Sequence, residues 1–145
     1  MTDTAATIAV EADTTLQPVV ELTLRAIGNN QEEIHYDQDT LVVPADALVS
    51  LTLINEGTEL TMIHNFVVTV KDKYKEVALA GAEVASPGNY IPDSELVLTG
   101  TPLALPGQTV HHEFKAPPPG EYSFVCTYPD HWKKMRGVLI VKETR

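Results

Sequence analysis

Residues 117–142 read PPPGEYSFVCTYPDHWKKMRGVLIVK and contain two apolar runs separated by a polar loop. EYSFVC (121–126) follows a proline–glycine turn and RGVLIVK (136–142) follows the loop, and both runs are typical of short β-strands. Pro129 has no N–H to donate, so strand pairing is not expected to continue past Cys126. Residues 127–135 are therefore predicted to form a loop that joins two strands and curls around a point.

Alternation of apolar and polar residues recurs along the rest of the chain. VVELTLRAIG (19–28) and ALVSLTLINEG (47–57) place apolar side chains at every second position, as strands with one buried face do. Further strands are predicted in HNFVVTV (64–70), ELVLT (95–99) and TVHHEFKA (109–116), with one or two more in EIHYDQDTLVV (33–43).

About seven or eight short strands at this spacing predict an all-β protein, an antiparallel sandwich or barrel. One short helix is expected in DKYKEVALAGAEV (72–84), where apolar residues recur at near-helical spacing. Residues 1–16 are small, polar and acidic, and we expect a flexible N-terminus or an edge strand there. Residues 17–145 are expected to form a single domain.

Composition excludes several classes of protein. With 145 residues, 43% hydrophobic and 21% charged, the chain resembles an ordinary globular domain. Its net charge of −10 argues against non-specific nucleic-acid binding. No apolar run approaches the roughly 20 residues that span a bilayer, and the first fifteen residues lack the basic and apolar segments of a signal peptide. A single cysteine excludes an internal disulfide.

The charge is unevenly distributed along the chain. Residues 1–60 carry eleven acids and one base, whereas residues 127–145 carry two acids and five bases. Lys133, Lys134 and Arg136 therefore reverse the sign of the charge within the loop and just after it. This is either a solvated face or a partner site.

The loop also holds three donors for a soft metal. Cys126, His131 and Met135 supply a thiol, an imidazole and a thioether, a combination that copper prefers and that magnesium or calcium does not. His131 and Met135, four residues apart, would share one side if the end of the loop is helical. A site with two imidazoles needs one more histidine, and the candidates are His35, His64, His111 and His112.

The segments IHNFVV (63–68) and CTYPDHWKKMRG (126–137) resemble the cupredoxin family of type 1 blue copper proteins, in particular its azurin-like and auracyanin-like members. The likeness extends over roughly residues 17–142 and includes the turn and strand PPPGEYSFVC (117–126). It implies a Greek-key β-sandwich with copper near one end. On the matching positions, it implies that His64, Cys126 and His131 are equatorial copper ligands and that Met135 is a long axial ligand.

The resemblance also assigns roles around the ligands. The carbonyl of Ile63 stands where an azurin-like protein brings a weakly interacting oxygen towards copper, although such proteins have glycine there. Asn65 and Thr127 match a pair that ties the two ligand segments together. Asp130 departs from the pattern, because the family members it resembles have glycine before the loop histidine.

A closed set of four ligands leaves no position for a substrate, which predicts a single-electron carrier cycling between Cu(I) and Cu(II) and not an enzyme. A multicopper oxidase or nitrite reductase would have histidine beside the cysteine, where this chain has Val125 and Thr127. A cysteine hydrolase would leave Met135 without a role. A copper carrier remains the serious alternative and would be colourless as Cu(I).

The family likeness suggests the partners and the location. We expect redox proteins as partners, either a cytochrome or a membrane-bound electron-transfer complex, and a monomer in the periplasm or at the extracytoplasmic surface. The electron is expected to pass through an exposed edge of His131. Partner docking at that end is expected to use Lys133, Lys134 and Arg136 against acidic groups, while Trp132 could serve either packing or docking.

Overall fold

The computed structural model describes residues 17–143, and the expectation for residues 1–16 lies outside them. The described chain forms nine strands in two sheets and one helix, which confirms the all-β sandwich. The strands are β1 Val19–Ile27, β2 His35–Tyr36, β3 Thr40–Pro44, β4 Leu48–Asn55, β5 Val67–Val70, β6 Val97–Gly100, β7 Thr109–Lys115, β8 Gly120–Val125 and β9 Arg136–Lys142. Helix α1 spans Tyr74–Ala82, and a short 3-10 turn spans Ser86–Gly88.

One sheet has the strand order β2-β1-β4-β7 and the other β3-β9-β8-β5-β6. Two of the pairings, β1 with β4 and β3 with β9, are parallel, whereas the sequence predicted an antiparallel sandwich. The apolar alternation that predicts a strand does not encode the direction of its neighbour, so this feature could not be read from the pattern.

The core lies between the sheets and follows the predicted alternation. In β4 every second residue is buried, and Val49, Leu51 and Leu53 are fully enclosed. Strand β5 differs, because helix α1 covers its outer face and Val67 packs with Val77 and Ala78 in a second cluster. Within residues 17–143, no helix is both long enough and apolar enough to cross a bilayer.

Strands β5 and β8 decide where the loop chemistry is placed. They are antiparallel and central in their sheet, and Val67 at the start of β5 pairs with Val125 at the end of β8. The segment that enters β5 and the segment that leaves β8 therefore meet at the same end of the sandwich. His64 lies on the first segment and Cys126 on the second.

Candidate metal centre

His64 is held by hydrogen bonds on both sides of its backbone. It forms an isolated bridge with Ala104, with N–H···O distances of 3.1 Å from His64 and 2.7 Å from Ala104. The buried Asn55 amide donates to the Met62 carbonyl at 2.7 Å and to the Ala104 carbonyl at 2.9 Å. These bonds fix the segment before β5, and nothing in the sequence pattern had singled out Asn55.

The loop after Cys126 folds back on itself. The Met135 N–H donates to the His131 carbonyl at 2.9 Å, which is the helical turn expected at the end of the loop. The Cys126 N–H donates to the Met135 carbonyl at 3.1 Å and closes the loop. His131 is thereby turned inward, and Met135 is fully buried in the same core cluster as Cys126.

Three donor atoms converge at this end of the sandwich. His64 Nδ1 lies 3.2 Å from His131 Nδ1, and Cys126 Sγ lies 3.9 Å and 3.7 Å from these two nitrogens. A point equidistant from all three lies about 2.1 Å from each, close to the roughly 2.0–2.3 Å of nitrogen and sulfur bonds to a first-row metal such as zinc. The three residues are buried. The donor set therefore fits a soft metal ion without rearrangement.

A buried clip joins the two ligand segments. Asn65 Nδ2 donates to Thr127 Oγ1 at 2.8 Å, and the Thr127 N–H donates to Asn65 Oδ1 at 2.9 Å. The clip extends to a neighbouring loop, because Asn65 Nδ2 donates to the Asn89 carbonyl at 2.9 Å and Thr127 Oγ1 to the Tyr90 carbonyl at 2.5 Å. The pairing of Asn65 with Thr127 is as the resemblance implied.

Nothing in the sequence pattern placed the loop that carries Asn89 and Tyr90 beside the metal centre. Both residues have positive φ, 57° each, which is uncommon outside glycine. Helix α1 makes room for them at Gly81, where a Cβ atom would come within 2.2 Å of the Tyr90 carbonyl oxygen. The helix and this loop thus form an outer wall of the metal centre.

Comparison with known proteins agrees with this geometry. A family model described as copper binding proteins of the plastocyanin/azurin family matches residues 24–142. The chain belongs to this cupredoxin family.

Individual cupredoxins are similar over most of the chain. Auracyanin-A of Chloroflexus aurantiacus is 34% identical over 119 residues, which cover 79% of this chain and 72% of that protein. Azurin of Achromobacter denitrificans is 25% identical over 141 residues, covering 92% and 95%. The solved structure of auracyanin A, described as a blue copper protein, has a TM-score of 0.76 at 27% identity and covers 86% of this chain and 99% of its own. Family and donor set together make copper the cofactor of this cupredoxin, a type 1 copper electron carrier.

Burial sets the protonation of the donors in the cupredoxin. It lowers the pKa of His64 to about 3, with a further contribution from the nearby His131. It lowers the pKa of His131 to about 4, although Asp130 and a hydrogen bond to the Ile63 carbonyl act in the opposite direction. Both rings are therefore neutral at pH 7 and have a lone pair for a metal.

The thiol behaves differently. Burial raises the pKa of Cys126 to about 12, even though backbone hydrogen bonds from Asn65 and Tyr128 favour the thiolate. In the metal-free cupredoxin the sulfur therefore keeps its proton at pH 7. Binding of a metal ion at this sulfur would release that proton, because cysteine binds metals as the thiolate.

The prediction that His131 has an exposed edge is wrong. The residue is only 1% exposed, because the loop turns the ring inward and Tyr128 packs beside it with ring centres 4.9 Å apart. Tyr90 in turn packs edge-on against Tyr128 at 5.1 Å. The half-buried side chains of Tyr128 and Tyr90 therefore lie between the His131 ring and the surface.

The three other histidines lie apart from the site. His111 contacts Thr52 and His112 contacts Thr99 on the strands, and His35 is exposed, so none of these three histidines joins the site. Trp132 is half-buried and packs beside Tyr74 of helix α1. Asp130 has φ of 70°, a conformation that favours glycine, the residue that the family resemblance implied for this position.

Proposed function

We propose that copper is bound in this electron carrier by His64 Nδ1, Cys126 Sγ and His131 Nδ1, with Met135 as the axial ligand. The convergence of the first three atoms, all buried, is the observation that carries the proposal. Met135 supports it because its side chain is fully buried within the same cluster as Cys126. A thioether in a long axial position is the expected fourth ligand of a site with two imidazoles and one thiolate.

Copper supplies the one-electron couple between Cu(I) and Cu(II), and the chain's residues keep the site the same in both states. Imidazole suits copper and thiolate suits Cu(I), so neither valence requires a ligand to leave. The clip between Asn65 and Thr127 holds the two ligand segments at a fixed separation. Burial of the ligands keeps water out, and little has to rearrange when an electron arrives or departs.

The site is unsuited to catalysis. Cys126 is fully buried and its pKa is raised, whereas a nucleophilic cysteine is accessible and has a lowered pKa. Its chain neighbours Val125 and Thr127 offer no ligand for a second copper centre. The role proposed is therefore electron transfer without an enzymatic reaction.

The partners proposed are redox proteins, either a cytochrome or a membrane-bound electron-transfer complex. The protein is proposed to work as a monomer, with residues 17–145 as its domain, in the periplasm or at the extracytoplasmic surface. The proposed partners, monomeric state and location rest on the family membership of the chain, which extends over residues 24–142.

A titration of the metal-free protein with Cu(II), followed by optical and EPR spectra, tests the ligand assignment. One equivalent should give an intense thiolate-to-copper band, and Cys126→Ser should abolish it. Met135→Leu should keep the band but change its position and the reduction potential. A matched control is His111→Gln, since His111 is an exposed strand residue whose ring contacts Thr52, and its spectrum should be unchanged. A band that persists in Cys126→Ser would contradict the assignment, and a colourless protein that binds only Cu(I) would identify a copper carrier.

A further inference from the structure

Helix α1 and the metal-binding loop bring two separate groups of basic residues to one face. Tyr74 of the helix and Trp132 of the loop pack with ring centres 6.3 Å apart. Six of the ten lysines and arginines of the chain lie on the two segments that this contact joins, and we call them the basic face: Lys71, Lys73, Lys75, Lys133, Lys134 and Arg136. The net charge of the two segments, 71–76 and 130–136, is +3 in total, so the rest of the chain carries a net charge of −13.

Aromatic rings organise the cations of this face. The ammonium groups of Lys75 and Lys133 lie 5.5 Å and 5.9 Å from the centre of the Trp132 ring. The guanidinium of Arg136 lies 4.6 Å from the centre of the Tyr74 ring and donates to its hydroxyl. Cation–π contacts of this kind hold charged side chains at a ring without neutralising them.

Acidic side chains compensate only part of the basic face. Lys71 pairs with Glu121 and Lys73 with Glu76, each at 3.5 Å, and these side chains are about half exposed to solvent. Across residues 17–143, no carboxylate lies within 4.0 Å of the ammonium groups of Lys75, Lys133 or Lys134. Two of these unpaired ammonium groups, those of Lys75 and Lys133, lie beside Trp132, the residue next to His131 in the chain.

We propose that the basic face, centred on Trp132, is the docking surface for an acidic redox protein. The proposal rests on the function proposed above and names the chemistry of its partner. An acidic partner is repelled by the net negative charge of the rest of the chain and attracted by the basic face, so its approach is oriented towards the end that holds the copper ligands. Docking on Trp132 places the partner one residue from His131, a ligand that has almost no exposed edge of its own.

Stopped-flow reduction of the Cu(II) protein by reduced flavodoxin, an acidic flavoprotein, tests the docking surface. One electron passes from the flavin to Cu(II) and leaves Cu(I). The double variant Lys75→Glu/Lys133→Glu should lower the second-order rate constant about tenfold or more at about 10 mM ionic strength, and the difference should largely disappear at about 0.5 M. The matched control is Lys115→Glu/Lys142→Glu, which makes the same change in net charge at the ends of β7 and β9, away from the metal end. It should change the rate less than about threefold.

Reduction by the neutral small molecule hydroquinone separates this proposal from the proposed function. All variants should keep the blue absorption band and the wild-type rate with hydroquinone. A wild-type protein without the band would refute the function, whereas equal slowing of both double variants by flavodoxin would refute the docking surface alone. In a different outcome, the Lys75→Glu/Lys133→Glu variant loses binding to vesicles containing phosphatidylserine while its rate of reduction by flavodoxin stays at the wild-type value. That result would assign the basic face to a membrane surface and overturn the proposal.

Discussion

Replacing Asn65 with alanine is expected to destabilise the metal-free protein by about 3 kcal/mol, because the substitution removes three hydrogen bonds from a buried region. The Thr127 N–H, now bonded to Asn65 Oδ1 at 2.9 Å, would be left buried without a partner at a cost of about 1–3 kcal/mol. The bonds to Thr127 Oγ1 and to the Asn89 carbonyl contribute about 0.5–1.5 kcal/mol each. Thr127 Oγ1 keeps its bond to the Tyr90 carbonyl, which limits the total.

Urea unfolding followed by circular dichroism measures this effect as a lower midpoint at an unchanged slope. Thr127→Val keeps the backbone N–H bond and should cost only about 1–2 kcal/mol. The double variant should lose about 1 kcal/mol less stability than the sum of the losses in the two single variants. Both substitutions remove the same hydrogen bond between the two side chains, so its loss is counted twice in that sum.

Asn30→Ala provides the matched control. Its side-chain oxygen also accepts two backbone hydrogen bonds, from Glu32 at 3.0 Å and Glu33 at 2.9 Å, but at an exposed turn where water can replace them. It should cost less than about 1 kcal/mol. A loss of less than about 0.5 kcal/mol for Asn65→Ala, or one no larger than that of Asn30→Ala, would refute the view that this clip holds the ligand segments together.

Three further predictions concern the surroundings of the site. Asp130→Gly should raise the urea midpoint by the equivalent of about 0.5 kcal/mol, because glycine adopts the positive φ of 70° without steric cost; a lowered midpoint would contradict this. Gly81→Ala should destabilise the protein by about 2 kcal/mol, since the added Cβ atom would lie 2.2 Å from the Tyr90 carbonyl oxygen. An unchanged urea midpoint would contradict this and show that the loop moves aside without cost. The melting temperature of the metal-free protein in high salt should fall as pH decreases from about 6.5 towards 4. The pKa values of His64 and His131 are lowered to about 3 and 4 in the folded protein, so in this range only the unfolded chain takes up protons at these histidines. A melting temperature that stays constant or rises in calorimetry would refute this prediction.

Local pattern was sufficient to predict most strands and the helix. The run 47–57 alternates because one face of β4 is buried, and the helix begins and ends within the predicted stretch 72–84. Such features depend on neighbours two to four residues apart, so the sequence displays them directly. Parallel pairing of β1 with β4 depends on a partner some 29 residues away, and periodicity has no information about it.

The candidate site likewise has some features that local sequence predicts and others that depend on distant parts of the chain. Cys126, His131 and Met135 were recognisable together because a single loop carries all three, and their chemical types already indicated a soft metal. From the residues alone, the choice of His64 over the other three histidines stayed open, and the family resemblance made it. The structure supplies a physical reason: β5 and β8 are paired, and the segment before β5 lies beside the end of β8.

By itself, the sequence determined the kinds of donor atom, their order and the strands that carry them, since these follow from side-chain chemistry and short-range spacing. Tertiary structure alone decided that His131 is covered by Tyr128, that Asn55 anchors the segment before β5, and that two basic segments meet across Tyr74 and Trp132. Burial and contact between distant segments arise only when the whole chain packs, and they set the pKa values of the ligands and the face available to a partner.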